Sequence, residues 1–185
     1  MTQTETTPPA GRTQEDVVRD LVSLLGSDHF GTGPLAELRR LAPTRPAAAP
    51  PALHRLLARY VPEHWLGGDG MQRWTLLAHL LALAAPSPTH GFTPLGKALF
   101  DADYNEGRLT ALLSAQADAF PVALPRLVRF LVAKGGSPHP YQLANLVLGG
   151  GRDADRMAIA RDYYRADSAA TAAATPANSV GKPAA

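Results

Sequence analysis

Large apolar residues recur along the chain at three- and four-residue spacing, and this periodicity predicts helix after helix. Thr13, three residues before Asp16, forms a capping box that opens a helix running to Leu25, and Gly26 ends it. A second helix opens at Pro34, covers Leu35 to Leu41, and stops at Pro43. Residues 42 to 51 contain four Pro and four Ala and read as an extended linker. A third helix, Ala52 to Tyr60, carries Leu53, Leu56, Leu57 and Tyr60 on one stripe. A fourth runs from Gly70 or Met71 to Ala84 behind Asp69 as its cap. Pro86 and Pro88 break the chain.

The second half restarts at Thr93 and Pro94 with a short helix through Phe100, followed by Asn105 capping a helix from Glu106 to Ala117. Three more are predicted: Val122 to Ala133, with Gly135 beyond its end, Pro140 to Leu148, ended by Gly149, and Asp155 to Arg165. No short segment alternates apolar and polar residues, so no sheet is expected, and no fixed-period repeat is present. The pattern predicts an all-α fold of about eight to nine helices in two small helical-bundle lobes. The lobes are residues 13–85 and 93–165, joined by a linker at 86–92. The tails, 1–12 and 166–185, hold almost no large apolar residue and are expected to be disordered.

Composition agrees with helix over strand: 33 Ala and 26 Leu stand against 9 Val and a single Ile. With no Cys, disulfide frameworks, cysteine zinc sites, iron–sulfur clusters and thiol nucleophiles are excluded. The first ten residues do not read as a signal peptide. The longest apolar run, Leu76 to Ala85, is interrupted by His79 and too short to span a bilayer, so a cytoplasmic protein with no membrane partner is expected.

Candidate chemistry thins out quickly. Asp101, Asp103 and Asn105 alternate like the start of a calcium loop, but Glu106 stands where Gly is required and Leu112 where Glu is required. The run Gly149 to Arg152 lacks the Lys and Ser or Thr of a phosphate-binding loop and follows no strand. The six His are scattered, with no pair at metal-ligand spacing, and His79 reads as a hydrogen-bonded core residue. No nucleophile elbow or suitably placed carboxylate pair appears, so the expectation is a protein that is not an enzyme and holds no metal or other cofactor.

Arginine changes the picture. Formal charge is only +2, yet residues 30 to 165 hold 15 basic against 10 acidic residues, and 15 of the 18 basic residues in the chain are Arg. Guanidinium groups grip phosphate bidentately. On the second helix Arg39 and Arg40 fall off the Leu35 and Leu38 stripe toward solvent. Arg55 and Arg59 share a face, and Arg126 and Arg129 stand opposite the core residues Leu124, Leu127, Val128 and Leu131. Lys134 sits in the last helical turn, where it complements the helix dipole. No aromatic residues are interleaved with this patch in the way that stacks bases, so it reads as a phosphate surface indifferent to sequence.

The ordered motifs resemble the CasB family, the small subunit of the type I-E CRISPR Cascade complex. They are GPLAELRRLAP at Gly33 to Pro43, LHRLL around Arg55, PLGKAL at Pro94 to Leu99, NEGRLTALL at Asn105 to Leu113, LPRLVRFLVAKG at Leu124 to Gly135, YQLANLVL at Tyr141 to Leu148 and ARDYY at Ala160 to Tyr164. The resemblance implies a non-catalytic, two-lobed helical subunit that stabilises the opened DNA. Its implied partners are other Cascade subunits, guide RNA, target and non-target DNA strands, and a second copy of itself. It also implies nucleic-acid contacts at Arg39, Arg40, Arg55, Lys97, Arg108, Arg126 and Arg129, and Lys134 is counted with them as a candidate contact. Two departures stand out: Pro125 replaces the first of two adjacent basic residues on the seventh helix, and Gly149 to Gly151 replace the usual aromatic after the eighth. A different reading is a helix-turn-helix DNA-binding regulator built on the last two helices.

Overall fold

Thr13 opens the first helix as its spacing predicts, with its hydroxyl accepting from the Asp16 backbone and the Asp16 carboxylate returning to the Thr13 N–H. The structure, a computed structural model, describes residues 11–42, 49–85, 92–115 and 119–174. Among them nine α-helices and no strand are found: α1 (Gln14–Leu25), α2 (Thr32–Arg39), α3 (Pro51–Tyr60), α4 (Gly70–Ala84), α5 (Leu95–Asp101), α6 (Glu106–Ser114), α7 (Ala119–Ala133), α8 (Pro140–Leu148) and α9 (Asp153–Ala174). No described helix is long and apolar enough to cross a membrane.

The centre is α4, whose residues Trp74 to Ala82 are all buried. A helix apolar on every side must be surrounded, and α1, α2, α3, α7 and α8 all pack on it. Two polar side chains buried there are satisfied locally. The Thr75 hydroxyl donates to the Met71 carbonyl at 2.7 Å, and His79 Nδ1 lies 2.8 Å from the Leu38 carbonyl of α2. Because α4 packs on α7 and α8, and α1 also meets α8, the helical groups before and after residues 86–91 share one continuous core.

A second seam joins α5 to α9. Gly96 permits it: a Cβ there would lie 2.1 Å from the Ile159 carbonyl oxygen and 2.7 Å from the Tyr163 nitrogen. Tyr163 adds a hydrogen bond from its hydroxyl to the Tyr104 carbonyl at 2.7 Å. The Gln142 side chain of α8 accepts from the Leu95 N–H and so ties α5 to the rest.

Several boundaries differ from the sequence reading. α2 begins at Thr32, placing Pro34 inside its first turn, where its missing N–H has no intrahelical partner to lose. Asp69 precedes α4 in helical conformation without a side-chain cap and faces Arg73 at 3.7 Å instead. α6 ends at Ser114 and α7 starts at Ala119. The largest correction is the C-terminal tail. Expected to be disordered from residue 166, the chain continues as helix to Ala174. Burial does not drive this extension. Ala-rich sequence propagates a helix already nucleated by its docking on α5, because elongation costs far less than initiation. The expectations for residues 1–10, 43–48, 86–91, 116–118 and 175–185 fall outside the described residues.

The polar loop after α5 is a turn and cap. Asp103 takes a left-handed φ of 59°, and the Asn105 side chain accepts from the Gly107 N–H at 2.8 Å. The glycine run after α8 closes that helix: Gly151 N donates to the Leu146 carbonyl at 2.7 Å, with Gly150 and Gly151 at φ near +70°.

Candidate nucleic-acid interface

The basic residues divide into those that hold the fold and those left open to solvent. Arg39, expected on the solvent face of α2, belongs to the first group and corrects that reading. Its Nε donates to the Ala82 carbonyl at 2.9 Å and its Nη2 to the Ala85 carbonyl. The helical wheel places only the Arg39 Cα. The long side chain reaches around α2 to the end of α4, where the last carbonyls lack intrahelical donors and the helix dipole favours a cation.

Two further arginines repeat the device. Arg73 on α4 donates to the Leu148 carbonyl at the end of α8, at 2.8 Å. Arg156 on α9 donates to the Leu113 and Ala115 carbonyls at the end of α6 and to the Gly151 carbonyl, while its guanidinium lies 4.3 Å from the centre of the Phe120 ring. Each of these cations bonds carbonyls at the end of a neighbouring helix.

Both lysines among the candidates have acidic partners. Lys97 pairs with Asp101 one turn on in α5, at 2.6 and 2.8 Å, and Lys134 sits 3.7 Å from Asp103 and 6.0 Å from the Phe130 ring. All four side chains are exposed, so these are loose surface pairs that a phosphate can displace. The segment around Lys134 is free of acids in sequence, and the fold supplies one from the α5–α6 turn.

Arg40, Arg55, Arg108, Arg126 and Arg129 are exposed, and none makes an ion pair or side-chain hydrogen bond among the described residues. They come together only in part. Arg55 and Arg59 of α3 line a cleft against α2 with His29 and Glu37, and Arg59 leans on the Tyr60 ring at 5.6 Å. Arg108 of α6 and Arg126 of α7 line one open groove of about 870 Å³. Pro125, beside Arg126, is buried against the core, so this position of α7 adds packing and no charge.

Titration separates the interior from this surface. Burial lowers the His79 pKa below its ordinary value, opposed by its bond to the Leu38 backbone and assisted by the charge of Arg129 on α7. Neutral His79 therefore donates its Nδ1 proton to the Leu38 carbonyl. Burial raises the Tyr104 phenol, against the nearby charge of Arg108.

Sequence reasoning missed two residues of the groove. Tyr104 and Phe130 line it beside Arg108 and Arg126, with ring centroids 5.1 Å apart and planes at 68°. Arg126 and Phe130 share a face of α7 four residues apart, but no spacing along the chain brings Tyr104 and Arg108 to them. Among the described residues no group of three or more His, Asp or Glu could hold a metal ion.

A family model described as CRISPR-associated protein Cse2, the family also called CasB, matches residues 34–164. Among solved structures, the fold matches a chain in the crystal structure of E. coli Cascade bound to a PAM-containing double-stranded DNA target. The TM-score is 0.62 at 21% identity, covering 81% of this chain and 95% of that one. No curated protein matches the sequence.

Proposed function

This chain belongs to the CRISPR-associated Cse2 family, and we propose that it serves as a structural subunit of an RNA-guided Cascade complex, holding nucleic-acid strands by their phosphates. The observation that carries this reading is the set of exposed arginines, Arg40, Arg55, Arg108, Arg126 and Arg129, left without ion-pair partners among the described residues. Guanidinium contacts to phosphate position a strand without reading its sequence. Guide RNA and the separated target and non-target strands are the ligands with that chemistry in such a complex, and other Cascade subunits with a second copy of this chain are the protein partners. Lys97 and Lys134 join the surface by exchanging Asp101 and Asp103 for phosphate. Arg39 contributes through the fold, by anchoring α2 on α4. The role is one of binding and needs no catalytic group or cofactor.

The test is a complex reconstituted with Arg40→Ala and Arg126→Ala together. The doubly substituted chain should fold, join the complex and release opened target DNA at physiological salt, where several modest contacts acting together hold what one cannot. Full retention of that DNA would reject the phosphate surface.

A further inference from the structure

We propose that the groove between α6 and α7 receives unpaired nucleobases of a single strand whose phosphates lie on Arg108 and Arg126. This rests on the phosphate-binding reading above and extends it from backbone to base. The groove is not shaped like a phosphate site alone. Its floor is apolar, with Leu112 buried and Val122 left 45% exposed, and Tyr104 and Phe130 form one wall. Its volume of about 870 Å³ lies in the range of cavities that hold small organic ligands.

Charge selects the occupant. Among the described residues no acidic side chain lines the groove, and both of the cations that line it are arginines with no ion-pair partner. By contrast the α2–α3 cleft holds Glu37 beside Arg55 and Arg59, which repels a strand laid deep within it. A ligand for the α6–α7 groove therefore needs both negative charge and a flat apolar surface, and a nucleotide has both. Among the described residues, the Tyr104 hydroxyl is the one uncharged polar group of a side chain that lines the groove and could read a base edge. Stacking there tolerates any base.

The test uses the full-length, isotopically labelled chain and two probes: a short single-stranded thymidine oligonucleotide and an abasic strand with the same phosphates. Expected on titration are shifts of the Val122 methyl, Tyr104 and Phe130 resonances with the thymidine strand only, while Arg108 and Arg126 respond to both. Affinity for the thymidine strand should exceed that for the abasic strand by roughly 5- to 150-fold, the span of base–aromatic stacking. Phe130→Leu keeps the apolar volume and should erase most of that ratio without changing the salt dependence. Equal affinities, with Arg108→Gln and Arg126→Gln still lowering the salt dependence, would overturn the base pocket and leave the phosphate surface standing. No response at either arginine would overturn both. Because the chain has no Cys, Val122→Cys offers a unique thiol. Protection of that thiol in a complex assembled without nucleic acid would place a protein in the groove and also overturn the proposal.

Discussion

The α5–α9 seam and the α6–α7 groove are both made by pairs of neighbouring helices, yet one is shut and the other open. At the seam the contact residue is Gly96, and the backbone of α9 comes so close that no side chain fits between. At the groove the facing positions carry Arg108 and Arg126, and the small residues Ala111, Ala115 and Ala119 leave the space beneath them unfilled. Like charges on facing helices resist closure, and alanine gives too little volume to compensate. The difference teaches where this fold places its stability and where it leaves a surface for something else. The first is decided by a missing side chain, the second by two charged ones.

Filling the seam should have the largest effect. Gly96→Ala sets a methyl group 2.1 Å from the Ile159 carbonyl oxygen, a clash with backbone that no rotamer relieves. Overpacking of this kind costs about 3 kcal/mol or more, and α5 should part from α9. Denaturant unfolding measures it. The contrasting change, Val122→Ala in the groove, should leave stability within about 0.5 kcal/mol. A mild Gly96→Ala would mean that the seam yields, and the comparison would fail.

Next in size is the split among the arginines. Arg156→Met removes the charged donor that serves the Leu113 and Ala115 carbonyls at the end of α6, and Arg39→Met removes the one serving Ala82 and Ala85. Each should cost about 1.5 to 3 kcal/mol in thermal or denaturant melts, the worth of hydrogen bonds to a charged group. Arg40→Met, one residue from Arg39 and exposed, should cost almost nothing. If the adjacent pair behave alike, the division between structural and surface arginines is drawn in the wrong place.

That pair also marks the limit of what the sequence tells. Local signals were legible: the Thr13 capping box, the α8 boundaries and the all-helical class all follow from residues close to one another in the chain. The His79 environment was legible too, since a lone His on an apolar helix needs a partner and has one in Leu38. What stayed hidden depends on a second element. A wheel drawn for α2 shows that Arg39 leaves the apolar stripe, but not that the end of α4 waits there with unpaired carbonyls. Likewise Tyr104 and Arg108 meet Arg126 and Phe130 only once α6 lies beside α7; the Phe130 ring, one turn from Arg126 on the same helix, was within reach of the spacing and was overlooked. The helix beyond Arg165 was missed for another reason. Ala169, Ala170, Ala172 and Ala173 are exposed, and the low cost of propagation keeps this stretch helical.

Acid should act on the core and spare the groove. Burial holds His79 and His139 below the ordinary imidazole value, so the unfolded chain takes up protons that the folded chain refuses as pH falls through about 6.5. Stability is therefore full above that pH and declines below it, by no more than about 1.4 kcal/mol per pH unit for each histidine. Melting curves between neutral pH and mild acid measure the decline. Arginine stays charged throughout, so the salt dependence of strand binding should not move while the chain remains folded. A melting temperature that rises on acidification would contradict the buried, neutral state of His79.

The smallest effect on the fold belongs to the groove arginines, which makes them the cleanest probes of binding. Arg108 and Arg126 are exposed and make no ion pair among the described residues, so replacing either with Ala should leave stability within about 0.5 kcal/mol. Each contact to a single strand releases condensed counterions, and losing one should lower the slope of log K against log salt by about 0.7. Lys97→Ala should change the slope less, because Lys97 must first give up Asp101, and part of the charge it brings to phosphate is spent on that exchange. Binding isotherms at several salt concentrations separate the cases. Equal slopes for Arg126→Ala and the unaltered chain would place the strand elsewhere, and the open groove would then owe its shape to charge repulsion alone.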